Sequence, residues 1–272
     1  MISKKFVLVL IIVVLFTSWV AAHELPDNEL LDDGVKLKTQ VMSVIMITSI
    51  LVTALVILAI ISKRKTHNHK RMLFCLMIIP IIAATLYAAG TTIYLNQVSL
   101  SKGPVHWHAD FEIWNCGQKL NLVDPQGLSN RVGTPVFHDH NDFRIHLEGV
   151  VMDQKDITLG NFFRVVGGSL AEEEAVVPTN AGSVVVHDGD LCQGQPGKVQ
   201  VFVYKIANPD ERGNWKYTQE KIENYPEYVL SPYSNVPPGD CIIIEFDQEK
   251  EKTEKICTSY KAAIKKGEAH GG

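Results

Sequence analysis

The stretch "VFHDHNDFRIHLEG", residues 136–149, holds His138, His140, His146 and Glu148, and "VHWHAD" upstream adds His106 and His108. Successive side chains of a β-strand point to opposite faces, so an H-x-H pair sets two imidazoles on one side, about 6.5 to 7 Å apart along the chain. That spacing suits two ligands of one cation, each giving a nitrogen at roughly 2.0 to 2.1 Å. His106 with His108 is one pair and His138 with His140 another; His146 with Glu148 repeats the i, i+2 spacing on a strand that could lie beside either. Two such strands offer a four-ligand site, or three ligands and an open position. Imidazole-rich sets with an occasional carboxylate favour copper or zinc over magnesium or calcium. The expected ligands are therefore His106, His108, His138, His140, His146 and Glu148, and the expected cofactor is a Cu or Zn ion. Trp107 and Phe137 alternate with the histidines and should face a core, which would hold the ligands rigidly from behind.

The other histidines carry blander readings. His67 and His69 form an H-N-H tripeptide among lysines and read as a solvated turn, and His270, beside the final Gly-Gly, reads as a frayed end. His187 in "VVVHDGDL" reads as a surface residue whose aspartate neighbours make a turn. No G-x-S-x-G or H-E-x-x-H motif occurs, so no catalytic residue is assigned. Three functions remain in view. The first is a membrane-anchored metal-binding module that captures, senses or delivers an ion. The second is a metalloenzyme, in which three histidines around zinc lower the pKa of bound water to about 7 and Glu148 or Asp142 acts as base. The third is a structural or adhesive domain whose ion staples two strands.

The same residues carry a resemblance. The chain resembles a family of microbial membrane-anchored proteins whose outer domain opens with an H-x-H strand, continues through a hairpin, and carries H-x-H-D, I-H-x-E and T-L-G-x-F-F. Here the elements are "HWHADFEIW", "HDHND", "IHLE" and "TLGNFF", spanning residues 106–163. Asn141 stands where the family pattern has its acid, and Asp142 follows one place on. The resemblance implies a secreted or surface-facing metal site and supplies no activity. Two other patterns fit less well. A cupin strand follows its H-x-H with Glu after three or four residues, whereas Glu148 comes eight after His140. A histidine brace, as in copper proteins resembling the soluble subunit of particulate methane monooxygenase, needs an N-terminal His. Cleavage after Ala22 would leave His23 there, but "HELPDN" offers no strand around it.

What must position these residues is a chain in two parts. Its 272 residues are 46% hydrophobic with net charge -4, and mean hydropathy is +0.05. No basic, aromatic-interleaved stretch would track a phosphate backbone, so nucleic acid is not expected as a partner. Residues 1–22 read as a signal peptide or signal anchor, with Lys4 and Lys5 before "FVLVLIIVVLF" and small residues at Val20 and Ala22. A short acidic extracytoplasmic segment, 23–40, precedes two uncharged apolar runs, 41–61 and 72–95. At about 1.5 Å per residue each run crosses a hydrocarbon core of ~30 Å. Residues 62–71 between them carry Lys63, Arg64, Lys65, Lys70 and Arg71 and no acid, which assigns that loop to the cytoplasm. The expected partners are a lipid bilayer, a metal ion and a further membrane protein, in the cell membrane. The remaining domain, 96–272, then lies on the extracytoplasmic side.

That domain reads as α+β and mainly strand, β-grasp-like or a sandwich. "VHWHADFEIW" and "KLNLV" flank the turn signal Asn115-Cys116-Gly117-Gln118 and should form a hairpin. "FRIHLEGVV", "SVVVHD", "VQVFVYKI" and "CIIIEFD" read as further strands. Helices are expected over "DITLGNFFRVV", capped by Asp156 or Thr158, and over "TEKICTSYKAAIKK", with Ile256, Tyr260 and Ile264 on one face. "DQEKEKTEK" reads as a solvated surface. Outside the membrane, Cys116, Cys192, Cys241 and Cys257 imply two disulfides; of three pairings, Cys116–Cys192 with Cys241–Cys257 is preferred.

Overall fold

The computed structural model describes residues 33–62, 66–211, 213–230 and 239–272. The signal segment 1–22, His23 and the basic residues Lys63, Arg64 and Lys65 lie outside the described residues. The chain forms two compact units, Met1–Lys102 and Gly103–Gly272.

In the first unit, helices α1 (Asp33–Ile61) and α2 (His67–Val98) are both long and apolar enough to cross a membrane. Each runs beyond its apolar stretch because the polar flanking residues 33–40 and 67–71 continue the helix. Large apolar side chains such as Ile47, Ile79 and Leu86 point outward, the surface a lipid environment requires. Hydroxyls along both helices are satisfied locally: Ser49 donates to the Ile45 carbonyl and Thr85 to the Ile81 carbonyl, each at 2.8 Å. Pro80 is accommodated inside α2. His67 and His69 belong to the first turn of α2 rather than to a loop, and Ser62 Oγ contacts His69 Nε2 at 3.1 Å.

The second unit is mostly β. Its first strand, β1 (Pro104–Asn115), turns through Cys116 and Gly117 into β2 (Gln118–Leu120). Both turn residues have positive φ, 49° and 81°, the backbone of the two-residue hairpin turn that fits strand twist. Then follow β3 (Val132–Gly133), β4 (Phe137–Asp139) and β5 (Arg144–Val150). Thr158 caps the short helix α3 (Leu159–Val165) by accepting from the Asn161 amide. The strands β6 (Ser169–Ala171), β7 (Glu174–Thr179) and β8 (Gly182–His187) make a separate small sheet, and β9 (Leu191–Cys192) pairs with β10 (Gln195–Pro196). The chain closes with β11 (Lys198–Ile206), β12 (Trp215–Ile222), β13 (Asp240–Asp247), α4 (Thr258–Lys266) and β14 (Ala269–Gly271).

The large sheet runs β14-β12-β11-β13-β1-β5-β4-β3, with β2 beside β1. β1 is antiparallel to β5 on one edge and parallel to β13 on the other. Side-chain alternation sorts its residues into two faces. Ala109, Phe111, Ile113, Ile145, Leu147, Phe137, Val201 and Ile242 form one core with Phe162 and Phe163 of α3 and with Ala175, Val177 and Val186 of the small sheet. Trp107 packs against the same core, as alternation requires. The opposite face is covered at one end by α4, whose Tyr260 sits over Phe202, Tyr204, Cys241 and Ile243. Farther along β1 on that face come Asp110, His108 and His106. Sheet thus faces sheet across the larger core, while a hairpin, a helix and a late strand parallel to β1 follow one another in the chain.

Three local expectations need correction. The last helix begins only at Thr258, because Cys257 keeps extended backbone (φ -60°, ψ 152°) where it meets Cys241. His270 is not frayed: β14 pairs with β12, His270 opposite Lys216. The run 247–255 is not simply solvated, since Glu245 is fully buried beneath it and is held by Lys250 Nζ at 3.0 Å and Thr253 Oγ1 at 2.8 Å. The cysteine pairs Cys116–Cys192 and Cys241–Cys257 lie at disulfide distance, with Cα separations of 5.4 and 5.8 Å.

Candidate metal centre

Sheet register lines the histidines up. His108 stands opposite His146 across β1–β5, and His138 stands opposite His146 across β5–β4. Three adjacent strands therefore present one histidine each in a single row, with His146 in the middle. His106 extends the row along β1. His140 lies just past the end of β4, and the tight turn after it, in which Asn141 and Phe143 have φ of 64° and 59°, leads into β5. Asparagine adopts that left-handed region readily; a bulky phenylalanine does so only where its surroundings hold it there. Here Lys119 Nζ lies 3.8 Å from the Phe143 ring centroid, and the Phe143 carbonyl accepts from the Phe111 amide. The Asn141 side chain donates to Asp124 Oδ1 at 2.7 Å.

Two groups of three histidines result, His106–His108–His146 and His138–His140–His146. Within each group the available donor atoms lie within 4.8 Å of one another, a spacing that could hold a metal ion. The first group is the more open: the His106 side chain is 63% exposed, and its members are exposed or half-buried. His138 is buried. The rings of His138 and His146 are stacked, 6° from parallel with centroids 5.4 Å apart. Nε2 of His138 and Nε2 of His140 are 3.2 Å apart. Two nitrogens bound to one tetrahedral ion at 2.0 to 2.1 Å stand about 3.3 Å apart. The same distance also serves a single N–H···N hydrogen bond, so the geometry is equally that of a pair closed on itself without an ion.

The surrounding acceptors decide which nitrogen each ring offers. His140 Nδ1 donates to the Asn130 carbonyl, which leaves the lone pair on Nε2. His146 Nε2 lies 3.2 Å from Asp142 Oδ2 and donates to it. Its lone pair is then on Nδ1, which is buried and has no hydrogen-bond partner. His106 Nε2 lies 3.1 Å from Glu148 Oε1. Carboxylate or carbonyl acceptors behind imidazoles are the arrangement that fixes ring orientation in metal sites. His138 Nδ1 is likewise buried and unpartnered.

Electrostatics disfavour the charged form of His108, His138 and His146. Burial, with His146 and His106 adding repulsion, pushes His108 down to about 4. Burial and the neighbouring His140 do the same to His138, also to about 4. His146 is lowered by burial, against the pull of Asp142. Asp139, turned away from solvent beside them, is raised to about 6 by burial.

All six expected ligands thus fall in one region, but in unequal roles. Five histidines converge in two groups, whereas Glu148 belongs to neither and stands behind His106. His187 lies elsewhere, its ring between Glu174 and Asp190 at 3.0 and 3.5 Å, with Asp190 also accepting from its amide in a turn. Sequence reasoning did not single out Asn130, whose backbone carbonyl carries no signal in a sequence, nor the contact between Asp142 and His146. Their four-residue separation was visible, but only the bent turn 140–143 brings them together. Compared with known proteins, the chain matches no family model, no curated protein and no solved structure.

Proposed function

We propose that the chain is a membrane-anchored, transition-metal-binding protein that holds a copper or zinc ion through His106, His108, His138, His140 and His146 on the extracytoplasmic side of the membrane. One observation carries the reading: five imidazoles from β1, β5, β4 and the turn after β4 meet in two groups sharing His146. Nitrogen ligands without thiolates favour copper and zinc, and the cysteines outside the helices are engaged with each other. Sidedness follows from charge: five basic residues between the two apolar runs, and Glu24, Asp27, Glu29, Asp32 and Asp33 before the first, favour a cytoplasmic turn and an external C-terminal unit. Two cysteine pairs at disulfide distance agree with an oxidising compartment. Glu148 and Asp142 orient His106 and His146 rather than bind the ion. The role that fits an anchored imidazole site is capture of the ion at the outer face and its transfer to a membrane protein.

The test is elemental analysis of the full chain in detergent after stripping and reloading with zinc or with copper. At least one ion per chain should be retained, with a thermal transition that rises on loading. Ligand at 100 times its Kd adds about 2.7 kcal/mol of stability. Replacing His146 by Ala should abolish both effects. A chain that retains neither metal and whose transition moves with neither refutes the proposal.

A further inference from the structure

Building on that reading, we infer that the two histidine groups are alternative positions of a single ion, which enters at His106–His108–His146 and passes to His138–His140–His146 by exchanging partners around His146. The inference rests on His146 being common to both groups. A neutral imidazole has one lone pair, directed in the plane of the ring. Nε2 of His146 carries its proton to Asp142, so only Nδ1 can bind, and it can serve one ion at a time. Full occupancy of both groups would require His146 to release Asp142 and bridge as imidazolate.

The two positions differ in the way that entry and holding sites must differ. His106 is exposed and held by an exposed carboxylate, so it can meet a hydrated ion. His138 is buried, and His140 is fixed through its Nδ1 bond to Asn130, so the inner position offers two nitrogens already 3.2 Å apart and oriented. Transfer replaces His106 and His108 by His140 and His138 while Nδ1 of His146 stays bound. The ion therefore keeps a protein ligand throughout and no electron moves; the one proton that must move is that of His138, from Nε2, where it closes the pair against His140 Nε2 when no ion is bound, to Nδ1. The rings allow it: His146 lies 4.7 Å from His108 and 4.8 Å from His140, centroid to centroid.

The experiment uses the full chain in detergent, with Co(II) as a coloured probe and zinc for stoichiometry. Wild type should bind one ion and load in two spectral phases. The pair H106A/H108A should also bind one ion, with the final wild-type spectrum but loading slower by about tenfold or more. H138A/H140A should bind one ion in a single fast phase and release it at least about tenfold faster than wild type. The exposed change Asp142→Asn, which replaces the carboxylate by a neutral and weaker acceptor, should weaken binding about 10- to 100-fold in both double variants, because both positions use the ring that Asp142 orients. Two ions per wild-type chain, or an Asp142→Asn effect confined to one double variant, overturns the inference while leaving the metal-binding reading intact. Absence of any bound ion in wild type overturns both.

Discussion

Burying an imidazole nitrogen without a partner costs about 1 to 3 kcal/mol, and His138 and His146 each carry one such atom side by side. Their surroundings suit the neutral ring, and this has a consequence for stability in acid. His108 and His138 titrate near 4 in the folded chain instead of 6.5, and His146 is displaced the same way. Between about pH 6.5 and 4 the unfolded chain binds protons that the folded chain refuses, so stability is full above 6.5 and falls as pH drops through that window. Asp139 acts oppositely: raised to about 6 from 3.8, it keeps its proton in the folded state over an overlapping range and offsets part of the loss. Three histidines outweigh one carboxyl. The metal-free chain should therefore melt at lower temperature at pH 5 than at pH 7, and His138→Gln should flatten the dependence. Thermal melts at the two pH values check this; a transition that rises in acid contradicts it. The histidine pairs were legible in the sequence because alternation makes H-x-H a same-face statement wherever a strand forms. That His146, and not either pair, occupies the centre was not legible, since it depends on β5 lying between β1 and β4.

Strand order itself rests on short, tightly constrained elements. β3 ends at Gly133, opposite His138 of β4, and its φ of +112° is a region L side chains avoid. A Cβ built there would lie 2.6 Å from the Phe137 carbonyl oxygen and 3.1 Å from the His138 Cα. Both are backbone atoms, so Gly133→Ala must push β4 away from β3 and carry His138 with it. The expected loss is about 1 to 3 kcal/mol of stability, with weaker retention of the inner ion. Gly127→Ala is the control: it shares a positive φ but meets nothing within 4 Å, so it should leave metal binding unchanged. Equal binding by the two variants would show that β4 does not position the site. The hairpin β1–β2, strands β5, β8, β11 and β13, and Thr158 as cap were readable from periodicity and turn chemistry. The start of α4 was not: helical spacing of Ile256 and Tyr260 is overridden by the link from Cys257 to Cys241, a contact sixteen residues away. Likewise, nothing local in "DQEKEKTEK" reveals that Lys250 and Thr253 serve the buried Glu245.

At the scale of the whole molecule, the reading depends on where the bilayer puts the two units. The cysteine pairs close loops of 76 and 16 residues. In the chain-entropy account the longer loop contributes more, by about 1.4 kcal/mol. In protein purified under oxidising conditions, Cys116→Ser with Cys192→Ser should therefore lower stability more than Cys241→Ser with Cys257→Ser. Chemical denaturation of each pair of variants reads the order. Sidedness can be read directly. Ser129 is exposed in the second unit, and Thr66 is exposed at the start of α2, beside the basic stretch between the helices. With Cys75, the free thiol of α2, changed to Ser and the other four cysteines paired, Ser129→Cys should react with a membrane-impermeant maleimide in intact cells. A cysteine at Thr66 should react only after the membrane is opened. The opposite pattern would put the histidines in the cytoplasm, where thiols compete for copper and zinc and the cysteine pairs would stay reduced. An imidazole site facing outward would have neither competitor, so under the proposed function the charge difference across α1 would matter as much as the register of β1, β5 and β4.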